Sequence, residues 1–451
     1  MGFDNRRSNR LAPALVFAAT IAFALAPIHS ASAYTFKVLH RFCAQPTCPD
    51  GANPVTALVR DDAGNLYGTT AYGGKYGDVN ASTGGTVFEL RLTGTGYKFR
   101  VLHDFCVQPN CADGENPYGS LILDTNGDLY GTALSGGTGA GGVNNGVAFR
   151  LVPNADRTKW KFKILYTFCS QASCADGAQP FGNLTYQGSQ SGALYDGTSP
   201  LYGTTFGGGS HASGIVFALT GKAHGTESVL YGFCSQKNCD DGQHPEASLL
   251  LDAKGDLFGT AAVGGGYDFG TAFELLPGKS GYTEAVLHDF CTTENDFCPD
   301  GQEPGSPVVM NATGDLFGSS SSGGAAGEGV VFKLTPETYT VKETVLHTFC
   351  LQWPCTGDGA HPSALILDAN GNVLGETTIG GRYGGGTIFK LHGTNVSVLY
   401  DFCRKSDCPD GEIPSGGLLL DKAGDLFGVA IDGGILTNTE YGGGTVFELV
   451  R

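Results

Sequence analysis

Seven times along the chain a phenylalanine runs into a cysteine, a second cysteine follows after four to six intervening residues, and an Asp-Gly step then leads to a proline. Phe105-Cys106 through Cys111-Ala112-Asp113-Gly114-Glu115-Asn116-Pro117 is one such stretch. The pairs are Cys43/Cys48, Cys106/Cys111, Cys169/Cys174, Cys234/Cys239, Cys291/Cys298, Cys350/Cys355 and Cys403/Cys408, and they account for all 14 cysteines. From Cys43 to Cys403 the six intervals average 60 residues. A chain of 451 residues would ordinarily divide into two or three domains, but a fixed period of this length marks one tandem array.

The rest of each unit repeats as well. In the second, Gly119 to Asp124 reads as a strand, Thr125-Asn126-Gly127 as a turn, and Asp128 to Thr132 as the returning strand. A glycine-rich loop through Gly136-Gly137 leads to a third strand, Gly146 to Leu151, and a fourth, Phe162 to Phe168, runs into the next cysteine. Four short antiparallel strands per unit, with 71 glycines and no G-X-Y period, describe an all-β chain. One such sheet cannot bury both faces, and radial stacking solves the problem. The phase of the ends predicts closure: Thr35 to Phe42 is a fourth-type strand, whereas Thr445 to Val450 is third-type. The expected fold is therefore a seven-bladed β-propeller spanning 34–451, its last blade (414–451) completed by the N-terminal strand. An open solenoid, the rival architecture, predicts capping units instead.

Residues 1–33 read as an export signal: Arg6, Arg7 and Arg10, an apolar run from Leu11 to Ile28, and the small-residue site Ala31-Ser32-Ala33, giving a mature start at Tyr34. The protein is then periplasmic or extracellular and not membrane-inserted, and its paired cysteines read as local disulfides. Each would contribute about 2 kcal/mol in a chain-entropy account. Zinc would require two further ligands per unit, and the residue three before each first cysteine alternates: His40, His103, Tyr166, Tyr231, His288, His347, Tyr400. The net charge is -17; without Arg6, Arg7, Arg10 and Asp4 it becomes -19. Such a surface repels phosphate backbones and anionic lipids, which disfavours nucleic acid and membrane-surface partners.

The stretches Gly64-Asn65-Leu66-Tyr67-Gly68-Thr69-Thr70 through Gly73-Gly74 to Gly85-Thr86-Val87-Phe88-Glu89-Leu90, and Gly371 to Leu391, resemble the gloVer tandem repeat of exported bacterial proteins. The resemblance covers nearly all of 34–451. It implies a secreted repeat protein and carries no catalytic residues to transfer. Some relatives end in cell-surface sorting segments, whereas this sequence ends at Arg451 inside a strand.

Strand order places the Cys-Asp-Gly-Pro crossovers and the glycine-rich loops on one face, the expected binding face. The Asp-Gly residues Asp50, Asp113, Asp176, Asp241, Asp300, Asp358 and Asp410 admit two readings: a carboxylate ring for Ca2+, or a turn in which Asp bonds its own backbone. Their recurrence in every unit favours the turn, and no cofactor is expected. The loops differ between units and carry the candidate ligand-binding residues Tyr72, Tyr76, His211, Tyr267, Arg382, Tyr383 and Tyr441, joined by Trp353 in the sixth disulfide loop. Aromatic rings amid small residues suit stacking on sugars or docking a protein. Glu376 stands where other units have Thr69, Thr132, Thr204, Thr260, Ser319 or Val429, and is expected to be a solvated strand residue. The reading that follows is a monomeric binding scaffold for a glycan or protein. The alternatives are a polysaccharide-active enzyme with axial carboxylates about 5–10 Å apart, or a structural surface module.

Overall fold

In the second unit Ile122–Leu123 pairs with Leu129–Ala133, which pairs with Val147–Pro153, which pairs with Trp160–Thr167, all antiparallel. The turn between the first two strands is closed by Asp124, whose carboxylate accepts from the backbone N–H of Asn126 and Asp128. Phe149, Leu129 and Leu151 are buried from this sheet and cluster with Phe105, Tyr67 and Val87 of the preceding one. A blade thus completes its core only by borrowing its neighbour's face.

The computed structural model describes residues 34–139, 142–221, 224–279, 281–291, 298–338, 340–434 and 442–451. The expected signal segment 1–33 lies outside them. The sheets form seven blades of four antiparallel strands. The first blade runs Val59–Arg60, Leu66–Thr70, Thr86–Thr93, Gly96–Asp104, and the sixth Ala360–Leu367, Val373–Ile379, Thr387–His392, Asn395–Asp401. In the third blade the first strand shrinks to one bridge, Thr185 to Tyr202, beside the three paired strands. The insert 187–200 follows it and stitches neighbouring blades on the far face: Tyr195 N donates to Leu123 O, and Gln190 Nε2 to Leu251 O. Among the described residues no helix is long and apolar enough to cross a membrane.

Closure occurs as the strand phase requires. Thr35–Arg41 pairs antiparallel with Thr445–Val450, from Thr35 opposite Val450 to Arg41 opposite Thr445. All seven cysteine pairs are disulfide-bonded: Cys43–Cys48, Cys106–Cys111, Cys169–Cys174, Cys234–Cys239, Cys291–Cys298, Cys350–Cys355 and Cys403–Cys408.

Inner strands of successive blades touch around the axis. Ala57 N donates to Ser120 Oγ, Ser120 N to Asn183 Oδ1, and Asn183 N to Ser248 Oγ. One strand further out, Thr69, Thr132, Thr204, Thr260 and Ser319 donate their hydroxyls to carbonyls of the next blade's inner strand: Pro117, Gly182, Ala247, Ser306 and Ser363. Glu376 occupies this position in the sixth blade and is fully buried, which corrects the solvated reading. Sequence pattern places it on a strand, but only the apposition of two blades encloses it.

Each inner strand is entered through a residue before proline held at positive φ: Asn53, Asn116, Gln179, His244, Glu303, His361 and Ile413, with φ between 53° and 60°. Such non-glycine geometry is costly and persists only where the surroundings impose it. Here the backbone N–H of each is bound by the preceding blade, as in Asn53 N to Gly443 O and His361 N to Glu328 O.

Candidate functional site

The disulfide loops and glycine-rich loops share one face. Gly74 N donates to Cys48 O, Gly137 N to Cys111 O and Gly381 N to Cys355 O, so each glycine-rich loop leans on the disulfide loop of its own unit. A Cβ added to Gly73 would sit 2.9 Å from Cys48 O, so glycine is required for the approach.

Besides forming its bridge, the second cysteine of a pair has a further role through its main chain. The carbonyl of Cys174 accepts from Gly177 N and Gly209 N, both at 2.9 Å. That of Cys239 accepts from Gly242 N (2.8 Å) and Gly265 N (2.9 Å), and that of Cys298 from Gly301 N (3.1 Å) and Gly324 N (2.7 Å). The first donor belongs to the Asp-Gly turn and the second to the glycine-rich loop, so one carbonyl ties the two loops together. Cys298 follows Cys291 by seven positions where the other pairs differ by five, yet Cys298 keeps both contacts. A main-chain acceptor leaves no mark on residue type, so this second role is decided by how the loops fold back.

The Asp of each Asp-Gly step closes its disulfide loop. Asp176 accepts from Tyr166 Oη (2.7 Å), Ser170 Oγ (2.7 Å) and the N–H of Ser170 and Gln171. Asp241 repeats this with Tyr231, Ser235 and Gln236. Elsewhere the ring is histidine: Nε2 of His40, His288 and His347 donates to Asp50, Asp300 and Asp358 at 3.0, 3.0 and 2.6 Å. His103 Nε2 lies 3.3 Å from Asp113. Tyr400 serves Asp410. The alternation of His and Tyr is thereby explained: both present one donor at the same reach on a flat ring. These contacts close the turn in each unit; at Asp410 they reach only Oδ2, from Tyr400 Oη and Arg404 N, while Oδ1 is buried without a hydrogen-bond partner.

Burial raises the carboxyl pKa of Asp113, Asp176, Asp241 and Asp358, but the hydrogen bonds from these rings, hydroxyls and N–H groups outweigh it and hold all four below the ordinary value. Their folded-state pKa lies under the unfolded one, so this stabilisation is present above about pH 4 and is lost as pH falls through the folded value. Asp241→Ala is expected to lower the unfolding free energy by about 2–3 kcal/mol at pH 7, because it strands several donors at once. The same variant should flatten the acid limb of stability below about pH 4, as read by urea unfolding across pH.

The predicted ligand-binding residues fall into separate groups. Tyr76, Tyr267 and Tyr383 occupy equivalent positions, two after the Gly-Gly of the first, fourth and sixth blades, and are 47%, 45% and 44% exposed. Their loops are pinned alike: Lys75 N, Gly266 N and Arg382 N donate to Asp104, Asp289 and Asp401 of the outer strands. Lys75 and Arg382 each place a cation over the neighbouring tyrosine, at 5.0 and 5.6 Å. His211 is exposed on the third blade, its Nδ1 3.0 Å from Ser210 Oγ. Trp353 is 79% exposed on the disulfide loop between the fifth and sixth blades. Tyr441 lies outside the described residues.

Tyr72 belongs to a different group, at the end of the inner strands. Its hydroxyl meets that of Tyr118 at 2.6 Å, and Tyr118 stacks on Phe181 with centroids 5.4 Å apart, joining three blades. Further round, His244 stacks on Phe206 at 4.3 Å, and His361 Nε2 pairs with Glu328 at 2.9 Å. Asn53 donates to Asp432, whose carboxyl is pushed up to about 6 by burial and the charge of Glu412. Burial also raises Glu246, which lies within the field of Glu303. Sequence reasoning missed Tyr118, Phe181, His244 and His361. The signal was present in the two positions flanking each proline, which vary in type while the proline does not. A cleft of about 600 Å³ opens on the opposite face, between the fourth and fifth blades, over Phe258, Leu316 and Leu334.

Residues 23–200 and 186–357 each match the family model described as Gloeobacter/Verrucomicrobia repeat. No curated protein matches the chain. Among solved structures, the extracellular domain of the proposed one component system BT4673 from B. thetaiotaomicron superposes with a TM-score of 0.51 at 12% identity, covering 91% of this chain and 39% of that one. A fungal alcohol oxidase of the AA5 family, solved in complex with copper, gives 0.52 at 13% identity, covering 92% and 76%. This chain therefore spans well under half of the first of these structures. At such identities the likeness is one of fold.

Proposed function

The chain belongs to the Gloeobacter/Verrucomicrobia repeat family, and from that premise we propose that it is an exported binding module whose ligand, a glycan or a protein, is held on the face of glycine-rich loops. The observation that carries this reading is the set of three equivalent tyrosines, Tyr76, Tyr267 and Tyr383. Each is nearly half exposed on a loop that a carboxylate fixes to the blade. An aromatic ring on a pinned loop gives up little conformational entropy on binding, and its flat face suits a sugar ring or an apolar side chain. Seven paired disulfides and a fold shared with an extracellular domain support export.

The test is a glycan array with the protein and its Tyr76→Ala, Tyr267→Ala, Tyr383→Ala triple variant. Glycan binding weakened at least tenfold by the triple change, with an unchanged melting temperature, is the expected result. A glycan-negative array at millimolar ligand moves the reading to a protein ligand, to be sought by crosslinking from these three positions. Binding that survives the triple change overturns the assignment of this face.

A further inference from the structure

Adjacent outer strands repeat one contact. The residue three before each first cysteine is the His or Tyr that holds the loop aspartate, and it faces the residue seven before the first cysteine of the following unit. In three boundaries that residue is phenylalanine, lying flat on the ring: Phe99 on His40 at 3.9 Å and 6°, Phe162 on His103 at 4.0 Å and 11°, Phe36 on Tyr400 at 4.0 Å and 11°. In three it is glutamate: Glu227 near Asp176, Glu284 near Asp241, Glu343 near His288 and Asp300, each carboxyl raised to about 7, chiefly by burial. At the seventh boundary, between the fifth and sixth blades, it is Val396.

A cleft of about 580 Å³ opens there. His347, Asp358 and Val396 line it, with Leu351 and Gln352 from the disulfide loop and Asn395 from the sixth blade's outer strand. That loop also holds the two most exposed large apolar side chains among the described residues, Trp353 at 79% and Leu351 at 67%. Large apolar groups so exposed beside a cleft, on a loop held by the Cys350–Cys355 disulfide, have the make-up of a docking surface.

We propose that this boundary is a docking site for a partner protein that inserts a phenylalanine side chain between His347 and Val396, with Leu351 and Trp353 closing over its flank. The molecule itself shows what fits: its own phenylalanines fill the equivalent slot against histidine in two other boundaries. A valine side chain is too short to reach across, and it leaves the slot for a ring from outside. An aromatic pair contributes about 0.5–1.5 kcal/mol beyond the area it buries, and aromatic side chains seated in pockets anchor many protein interfaces. The site lies on the outer rim and shares no residue with the tyrosine loops, so the two assignments stand or fall separately.

The probe is N-acetylphenylalaninamide, titrated to about 20 mM because a single side chain binds weakly. The readouts are the His347 imidazole proton resonances and Trp353 fluorescence. Saturable shifts are expected, absent with N-acetylleucinamide and with methyl glucoside. Val396→Phe supplies the ring internally, and is expected to abolish the shifts while leaving the fold at least as stable. Leu351→Ala with Trp353→Ala keeps the slot and is expected to weaken binding several-fold. No saturable shift with the phenylalanine probe, equal binding of the leucine or sugar probe, or undiminished binding by a folded Val396→Phe protein would each overturn the proposal.

Discussion

Deleting residues 34–42 is expected to destroy the cooperative fold, although it removes only one strand. The strand contributes six paired positions opposite Thr445–Val450, and Lys37 Nζ reaches Glu448 at 3.1 Å. Phe36 stacks on Tyr400 of the sixth blade, and fully buried Phe42 packs with Phe88 of the first. Its loss would expose the Thr445–Val450 edge and open apolar surface on both neighbouring blades. Burying Phe42 fully and Phe36 in part contributes roughly 3–5 kcal/mol, close to the net stability of a small domain. Circular dichroism and size-exclusion chromatography should show aggregation or a broad, non-cooperative melt. A permuted chain that starts at Cys43 and carries residues 34–42 after Arg451, joined by a short glycine-containing hairpin, should recover a cooperative transition. The strand is needed for its place in the sheet and not for its place in the sequence. If the deletion melts like the full chain, ring closure contributes little to stability.

The second large effect concerns Glu376. Its Oε2 accepts from Gly417 N at 2.9 Å while its Oε1 is buried without a hydrogen-bond partner. The glutamate answers a local deficit. In the first three blades the equivalent N–H donates to a side chain on the next inner strand: Ala57 N to Ser120, Ser120 N to Asn183 and Asn183 N to Ser248. For Gly417 the next such residue is Ala57, which offers no acceptor, and a Cβ built on Gly417 would lie 3.6 Å from the Ala57 methyl. Burial pushes the Glu376 carboxyl up to about 8. A folded-state pKa above the unfolded one means that the unfolded chain ionises first. The contribution of this one group to stability is therefore greatest below about pH 4.5, declines as pH rises, and levels off above about pH 8, a loss of roughly 5 kcal/mol in all.

Glu376→Gln keeps the acceptor for Gly417 and should abolish that decline, raising unfolding free energy at pH 8 by about 2 kcal/mol or more. Glu376→Thr alone leaves Gly417 N–H without its acceptor, whereas Ala57→Ser with Glu376→Thr supplies both contacts used by the first three blades. The pair should therefore be more stable than the sum of its single changes by about 1 kcal/mol. Additive single effects, or a pH profile unchanged in the glutamine variant, would show that Glu376 is not the titrating group.

Much of this architecture is written locally. A strand, a turn and a glycine-rich loop each depend on residues close in sequence, so the 60-residue period, the four strands per blade and the expectation of local disulfides follow from the chain alone, while the pairing itself is shown by the structure. Ring closure follows too, because the phase of the two ends is a matter of counting. What the sequence could not determine is which groups meet once the loops fold back and the blades close up. The carbonyls of Cys174, Cys239 and Cys298 find their glycine-rich loops only in the folded unit. Contacts across a blade boundary join residues about 60 positions apart and depend on how two twisted sheets wedge together. Only their apposition buries Glu376, lays Phe99 on His40, turns the His/Tyr alternation into one structural role, and leaves a cleft at Val396.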